Sequence, residues 1–251
     1  MNGNGLDPLV SSRKSHPDQM IVLKQVKKSY RTAAGDFWAL QGIDLEVRQG
    51  EYVLIVGKSG AGKTTLTNMV TGVDRLTAGE VLVGSTRVHD LGENQQALWR
   101  GLNLGVIYQS FQLMPTLSLL DNVLLPMDFC GLYRGRRSVE RAAELLVQVG
   151  LAEHINKLPA AISGGQQQRV AIARALANDP PVIVADEPTG RLDSQTAAVI
   201  FDIFEDLLRH GKTIVMVTHD RNLMRRVLRL PQGRVIELAD GQITGVQKGA
   251  G

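Results

Sequence analysis

Eight residues, Gly57-Lys-Ser-Gly-Ala-Gly-Lys-Thr64, constrain this chain more than any other feature. They match the pattern G-x-x-x-x-G-K-[ST], directly after the apolar run Tyr52-Val-Leu-Ile-Val56 and before a helix pattern over about Lys63 to Thr71. A short apolar run with β-branched residues, bounded by Gly50 and Gly57, reads as a strand buried on both faces. Glycines let backbone N–H groups turn inward around phosphate oxygens, and the following helix aims the positive end of its dipole at the same anion. On this reading Gly57, Lys58, Ser59, Gly60, Ala61, Gly62, Lys63, Thr64 and Thr65 form a phosphate cradle. Lys63 would reach the β- and γ-phosphates, and the Thr64 hydroxyl would ligate Mg²⁺. Lys58 either adds a cation near the phosphates or points to solvent.

A second apolar strand pattern, Val182-Ile-Val-Ala185, ends in Asp186 and Glu187. Carboxylates at the end of a buried strand sit at the sheet edge where ligands bind in α/β folds. Asp186 is suited to hold hydrated Mg²⁺, and Glu187 to polarise an attacking water as general base. A third run, Thr213-Ile-Val-Met-Val217, is followed by Thr218-His219-Asp220. Between the runs, apolar residues recur at three- and four-residue spacing, as in Ile200, Ile203, Phe204, Leu207 and Leu208 after a cap at Asp193 or Ser194. Strand and helix therefore alternate, which predicts an α/β sheet. The stretch from about Ser110 to Ala177 carries no strand pattern and reads as a helical insert.

Composition narrows the class further. With 251 residues, 43% of them hydrophobic, the chain can bury a sizeable core, and wholesale disorder is excluded. Its single cysteine, Cys130, excludes a disulfide scaffold. A net charge of +3 does not by itself argue nucleic-acid binding. The most apolar stretch, Leu113 to Leu132, is interrupted by Pro115, Asp121, Asn122, Pro126 and Asp128 and does not read as a membrane span.

Ile162-Ser-Gly-Gly-Gln166, followed by QQRVAIARAL, resembles the signature of ATP-binding-cassette (ABC) ATPases. Read without the name, Ser163, Gly164 and Gly165 offer a hydroxyl and unobstructed N–H groups at a helix start, a second anion site. The remaining landmarks of that family follow in order. Gln109, after the strand-like Gly105-Val-Ile-Tyr108, resembles the Q-loop glutamine that contacts Mg²⁺ or the attacking water. His219 resembles the switch histidine at the γ-phosphate, and Tyr30 the aromatic that stacks on adenine, with Phe37 and Trp38 as nearby competitors. Arg191 replaces a small or amide residue in Gly-x-Leu-Asp, but Asp193 is retained.

The resemblance implies an α/β fold: a P-loop NTPase cassette with a RecA-like parallel-sheet core, an antiparallel β subdomain and a helical subdomain over about 110–177. It covers residues 20–245, leaving 1–19 as a flexible arm and 246–251 as a tail. It implies catalytic roles for Glu187, His219, Gln109 and Lys63, and metal ligation by Thr64, Gln109 and Asp186. Tyr30, the phosphate cradle, Ser163, Gly164, Gly165, Gln166 and Asp193 would contact nucleotide, the last five from a second copy in a head-to-tail dimer around two ATP. ATP and Mg²⁺ are the implied ligands.

Within the family the chain looks most like the lipoprotein-release and macrolide-export branch (LolD and MacB types), with the cell-division FtsE type nearby. The stretches that carry this are Gly105–Gln109, Leu113-Met-Pro115, Leu120-Asp-Asn-Val123 and Asp186-Glu-Pro-Thr-Gly190. That branch implies an integral membrane permease partner, a place on the cytoplasmic face of the membrane, and no direct nucleic-acid contact. The segment Leu113–Leu132 is then either plain core or the groove that receives a cytoplasmic helix of the permease. The alternative class is a soluble ABC ATPase acting on nucleic acid or ribosomes. The cationic run Arg221, Arg225, Arg226, Arg229 reads as a solvated helix face or a contact to anionic lipid.

Overall fold

The computed structural model describes residues 19–33, 35–220 and 222–250. Residues 1–18 of the expected arm lie outside these, as does Arg221 of the cationic run, while Gln19 already belongs to the first strand.

Strands β1 (Gln19–Thr32) and β2 (Gly35–Arg48) pair antiparallel along their length, with register shifts around Gln25, whose φ is +48°. The hairpin end of the pair, residues 30–32 with 35–38, is exposed. β3 (Tyr52–Val56) leads through the glycine loop into α1 (Lys63–Thr71), as expected. Then come β4 (Ala78–Val83), β5 (Thr86–Arg87), α2 (Glu93–Asn103) and β6 (Leu104–Ile107). The helical insert follows: α3 (Leu119–Phe129), α4 (Arg136–Gln148) and α5 (Gly164–Ala175), with no strand among them. The chain finishes with β7 (Val182–Asp186), α6 (Ser194–Arg209), β8 (Thr213–Thr218), α7 (Asn222–Val227), β9 (Gly233–Ala239) and β10 (Gln242–Lys248).

Two sheets result. One is antiparallel, in the order β2-β1-β4-β5, and the other runs β10-β9-β3-β8-β7-β6 with every neighbour parallel except β10. β10 continues to Lys248, and the N–H groups of Gly249 and Ala250 bond back to Gly233 and Leu228, so the expected boundary at 245 falls inside a strand.

Every residue of β3 is buried, and successive side chains enter opposite layers. Tyr52, Leu54 and Val56 pack with the helical insert and α6, around Val123, Leu146, Val170 and Phe204. Val53 and Ile55 pack with α1 and the antiparallel sheet, around Leu66, Val70, Leu23 and Val81. Each such aliphatic side chain contributes about 1.5–3 kcal/mol by its burial. The loop after β3 is thus rooted in both cores at once. Because β8 lies between β3 and β7, the carboxyl ends of three adjacent strands deliver Gly57, His219 and Asp186 to one edge.

Candidate functional site

The glycine loop holds its shape only with glycine at three places, one of them Gly60 at φ +82°. A Cβ on Gly57 would stand 2.3 Å from the Leu238 carbonyl oxygen. Gly62 caps α1 at φ +99°, where a Cβ would meet the Ala39 oxygen at 2.5 Å. Inside the loop, Lys63 Nζ donates to the carbonyls of Gly57 at 2.9 Å and Lys58 at 3.0 Å. The Lys63 side chain is buried, with its ammonium 3.7 Å from Glu187 Oε1. Lys58 itself is exposed.

Glu187 takes a left-handed backbone, φ +48°, directly beyond β7. Non-glycine residues avoid that region at a cost of about 1–3 kcal/mol, and such residues cluster at functional sites. Its N–H donates to the Val217 oxygen of β8 at 2.9 Å, fixing the turn. The carboxylate then meets the end of β8: Oε2 is 2.7 Å from His219 Nδ1 and 3.3 Å from both Thr218 Oγ1 and the His219 N–H. A carboxylate can only accept, so Nδ1 carries the proton of this bond.

Asp186 points elsewhere. Its Oδ1 is buried without a hydrogen-bond partner. Burial pushes its carboxyl above the ordinary carboxylate range, against a hydrogen bond from Thr64. A buried carboxylate oxygen with no donor, beside a threonine hydroxyl, suits a hard cation that takes oxygen ligands. Thr64 and Asp186, with Gln109 across the cleft, therefore fit Mg²⁺.

Lys63, Thr64, Gln109, Glu187 and His219 face one cleft of about 640 Å³, walled also by Tyr30, Phe37, Ala39, Ser59, Gly60, Gly62 and Thr65, while Asp186 lies behind this wall. Gln109 arrives from the far side, its Nε2 close against Gly190, where an added Cβ would stand 3.1 Å away. The cleft joins a cationic, N–H-lined cradle to a carboxylate and an imidazole, with aromatic rings at one end. That set can bind a polyphosphate, hold a base and activate water.

Ser163, Gly164, Gly165, Gln166 and Asp193 are absent from this wall. Ser163 caps α5 in a capping box: its Oγ accepts the Gln166 N–H at 3.3 Å, and Gln166 Oε1 accepts the Ser163 N–H at 2.9 Å. Asp193 caps α6, accepting from the N–H groups of Gln195 and Thr196 and, at 2.7 Å, from the Thr196 hydroxyl. Those hydrogen bonds, led by the Thr196 hydroxyl, hold its carboxyl below the usual range. Gly165 packs so tightly on Thr196 that a Cβ would meet Cγ2 at 2.3 Å. The two caps thus form one unit, away from the cradle of their own chain. Arg191 is exposed, and nothing in the structure explains its presence.

Sequence reasoning missed two supports. Arg174, on α5, donates to the carbonyls of Phe111 at 2.8 Å and Gln112 at 2.5 Å, both residues with left-handed backbone just after Gln109. Asp74, beyond α1, accepts the Tyr30 hydroxyl at 2.8 Å. Arg174 falls inside the quoted signature stretch and Asp74 in no motif, and only a long-range contact reveals what either one holds.

Beside Gln109 lies a groove of about 620 Å³ between α2, α3 and β6, lined among others by Leu98, Tyr108, Met114, Leu125, Phe129 and Arg174. The apolar segment is divided: Leu119, Val123 and Met127 enter the core, while Met114, Leu125, Pro126 and Phe129 line the groove. Arg226 is a clamp within the molecule, bonded to Asp202 and Glu205 and set 4.2 Å over the Phe201 ring. It is therefore withdrawn from the solvated or lipid-facing set, while Arg225 and Arg229 are exposed. Among the described residues, no helix is long and apolar enough to cross a membrane.

Comparison with known proteins gives a consistent answer. Residues 40–190 match the family described as "ABC transporter". The chain is 40% identical to the lipoprotein-releasing system ATP-binding protein LolD of Francisella tularensis, over 90% of this chain and 96% of that one. It is 42% identical to the macrolide export ATP-binding/permease protein MacB of Syntrophobacter fumaroxidans, over 89% of this chain but 32% of that longer protein. Among solved structures, the ATP-binding cassette MJ0796 of Methanocaldococcus jannaschii, as a post-hydrolysis dimer bound to ADP and Pi, superposes with a TM-score of 0.84. That match is 40% identical and covers 92% of this chain and all of the other. The motifs, the cleft and the relatives converge: the chain belongs to the ABC transporter family, as an ATP-binding, ATP-hydrolysing cassette.

Proposed function

We propose that this cassette works as a head-to-tail pair around two MgATP and drives a separate integral membrane subunit of LolD or MacB type. The observation that carries the reading is the division of the site: cradle, Glu187 and His219 share one cleft, and Ser163 and Asp193 stand outside it. A second copy facing the cleft would bring its own Ser163, with the N-terminus of α5, to the far side of the triphosphate. The dimeric form of the MJ0796 cassette supports this arrangement.

In the proposed reaction, Lys63 and the loop N–H groups hold the β- and γ-phosphates and offset their charge. Tyr30 supplies the platform for adenine. Water attacks the γ-phosphorus, its proton passes to the Glu187 carboxylate, and the bond to the β-phosphate oxygen breaks. His219, already bonded to that carboxylate through Nδ1–H, orients it. Thr64, Gln109 and Asp186 would hold Mg²⁺, which supplies charge stabilisation to the phosphate oxygens.

The apolar groove beside Gln109 would seat a short cytoplasmic helix of the membrane subunit, since α2 and α3 offer apolar walls with Arg100 and Arg174 among the lining residues. The chain would then sit on the cytoplasmic face through that partner. Purification of the tagged chain from solubilised membranes tests this. Recovery of a membrane-spanning protein together with Mg²⁺-dependent ATP hydrolysis is expected. Recovery with ribosomes or DNA, and never with membranes, would overturn it.

A further inference from the structure

Tyr30 is held by a small network joining β1 to the segment beyond α1. Its hydroxyl donates to Asp74 Oδ2 at 2.8 Å. The other oxygen, Oδ1, accepts Lys28 Nζ and the Arg75 N–H, each at 2.7 Å. Lys28 Nζ donates in addition to the Arg75 carbonyl at 2.7 Å and stands 4.7 Å from the centre of the Tyr30 ring. Lys28 is buried, unusual for a lysine, so its ammonium is committed to these partners. The strand is stitched to the same segment at Ser29 N–H to Thr77 Oγ1, 3.0 Å, and Thr77 N–H to the Lys27 oxygen, 2.8 Å.

The contrast with Phe37 gives the network its meaning. Phe37 is the cross-strand partner of Tyr30 and lines the same cleft, yet it has no polar handle and is 55% exposed. Of the two rings, only Tyr30 is fixed in orientation. Burial, and then the bond to Asp74, push its phenol above the ordinary range, so it stays a neutral donor. The nearby ammonium draws π density from the ring, which favours stacking on an electron-rich purine. Asp74 is not part of the cleft wall.

We propose that Asp74 and Lys28 are positioning residues that fix Tyr30 as a purine platform, so that Asp74 sets affinity for the base while leaving affinity for the triphosphate to the cradle. This rests on the reading of the cleft as an ATP site.

The test is equilibrium binding of two probes, MgATP and magnesium tripolyphosphate, to the full chain and to its Tyr30→Ala, Tyr30→Phe, Asp74→Ala and Tyr30→Phe/Asp74→Ala variants. Asp74→Ala and Tyr30→Phe should each weaken MgATP about fivefold while leaving tripolyphosphate within about twofold. The double variant should bind MgATP no more weakly than either single one, because hydroxyl and carboxylate act as one unit. Equal losses for both probes would make Asp74 a support of the phosphate-loop helix only and overturn the proposal, as would additive losses. If Tyr30→Ala weakens MgATP while Asp74→Ala does not, the positioning role alone falls. If Tyr30→Ala leaves MgATP unchanged, the base-platform reading itself falls.

Discussion

Glu187 Oε2 accepts the Nδ1–H of His219 at 2.7 Å, while Oε1 of the same carboxylate lies 3.7 Å from the Lys63 ammonium. An imidazole from beyond the end of β8 and an ammonium from the start of α1, far apart in sequence, therefore act on one carboxylate. Replacing Glu187 by Gln keeps the volume and removes the proton acceptor. Phosphate release by Glu187→Gln should fall by about 10²–10⁴-fold, with MgATP affinity changed only severalfold. Turnover equal to the parent would remove Glu187 from the role of general base.

Lys63 differs in kind, since its ammonium bonds the loop carbonyls of Gly57 and Lys58 as well as facing Glu187. Lys63→Ala removes the cation for the phosphates and leaves two carbonyls and a carboxylate without it. MgATP affinity should drop by on the order of 10²-fold, with loss of hydrolysis, as read by equilibrium binding and phosphate release.

Asp74 gives a stability prediction with a definite sign. Burial acts to raise its carboxyl pKa, but bonds from Lys28, Tyr30 and the Arg75 N–H outweigh it, and the folded value lies below the unfolded one. A depressed carboxylate contributes stability that is present above the unfolded value and is lost as pH falls through the folded one. Asp74→Asn should therefore lower Tm at neutral pH, and the gap from the parent should close as pH falls below about 4. Thermal melts across that range check it, and a gap that widens toward acid would contradict the assignment.

Arg226 ties α7 to α6 through Asp202 at 2.6 Å and Glu205 at 2.9 Å, and covers the ring of Phe201, which stacks on Tyr52 of β3. Arg226→Ala should cost about 1–2 kcal/mol, seen as a drop in Tm of several degrees. Binding of the chain to anionic vesicles should not change, since this guanidinium is engaged within the molecule.

What the sequence made legible was local. The phosphate loop, its helix from Lys63 to Thr71, the cap at Asp193 and the insert without strands are set by contiguous residues, and the structure has them. Strand order was not legible, because the placement of β8 between β3 and β7 depends on pairings between distant segments. The hairpin end of β2, residues 35–38, escaped because pairing with β1, rather than apolar alternation, holds it extended. β10 escaped similarly: Val246 is exposed, and the strand survives on its ladder with β9. Arg174, within the signature stretch, and Asp74, in a loop, do not announce their partners, which lie 62 and 44 positions away.

The central claim is that the nucleotide site is completed by Ser163 of a second copy. Light scattering on Glu187→Gln with MgATP tests it most directly, beside the Glu187→Gln/Ser163→Arg protein. The account predicts that MgATP doubles the mass of the first and leaves the second monomeric while it still binds nucleotide. A Glu187→Gln protein that binds MgATP yet stays monomeric, or a Ser163→Arg form that still doubles, would contradict it.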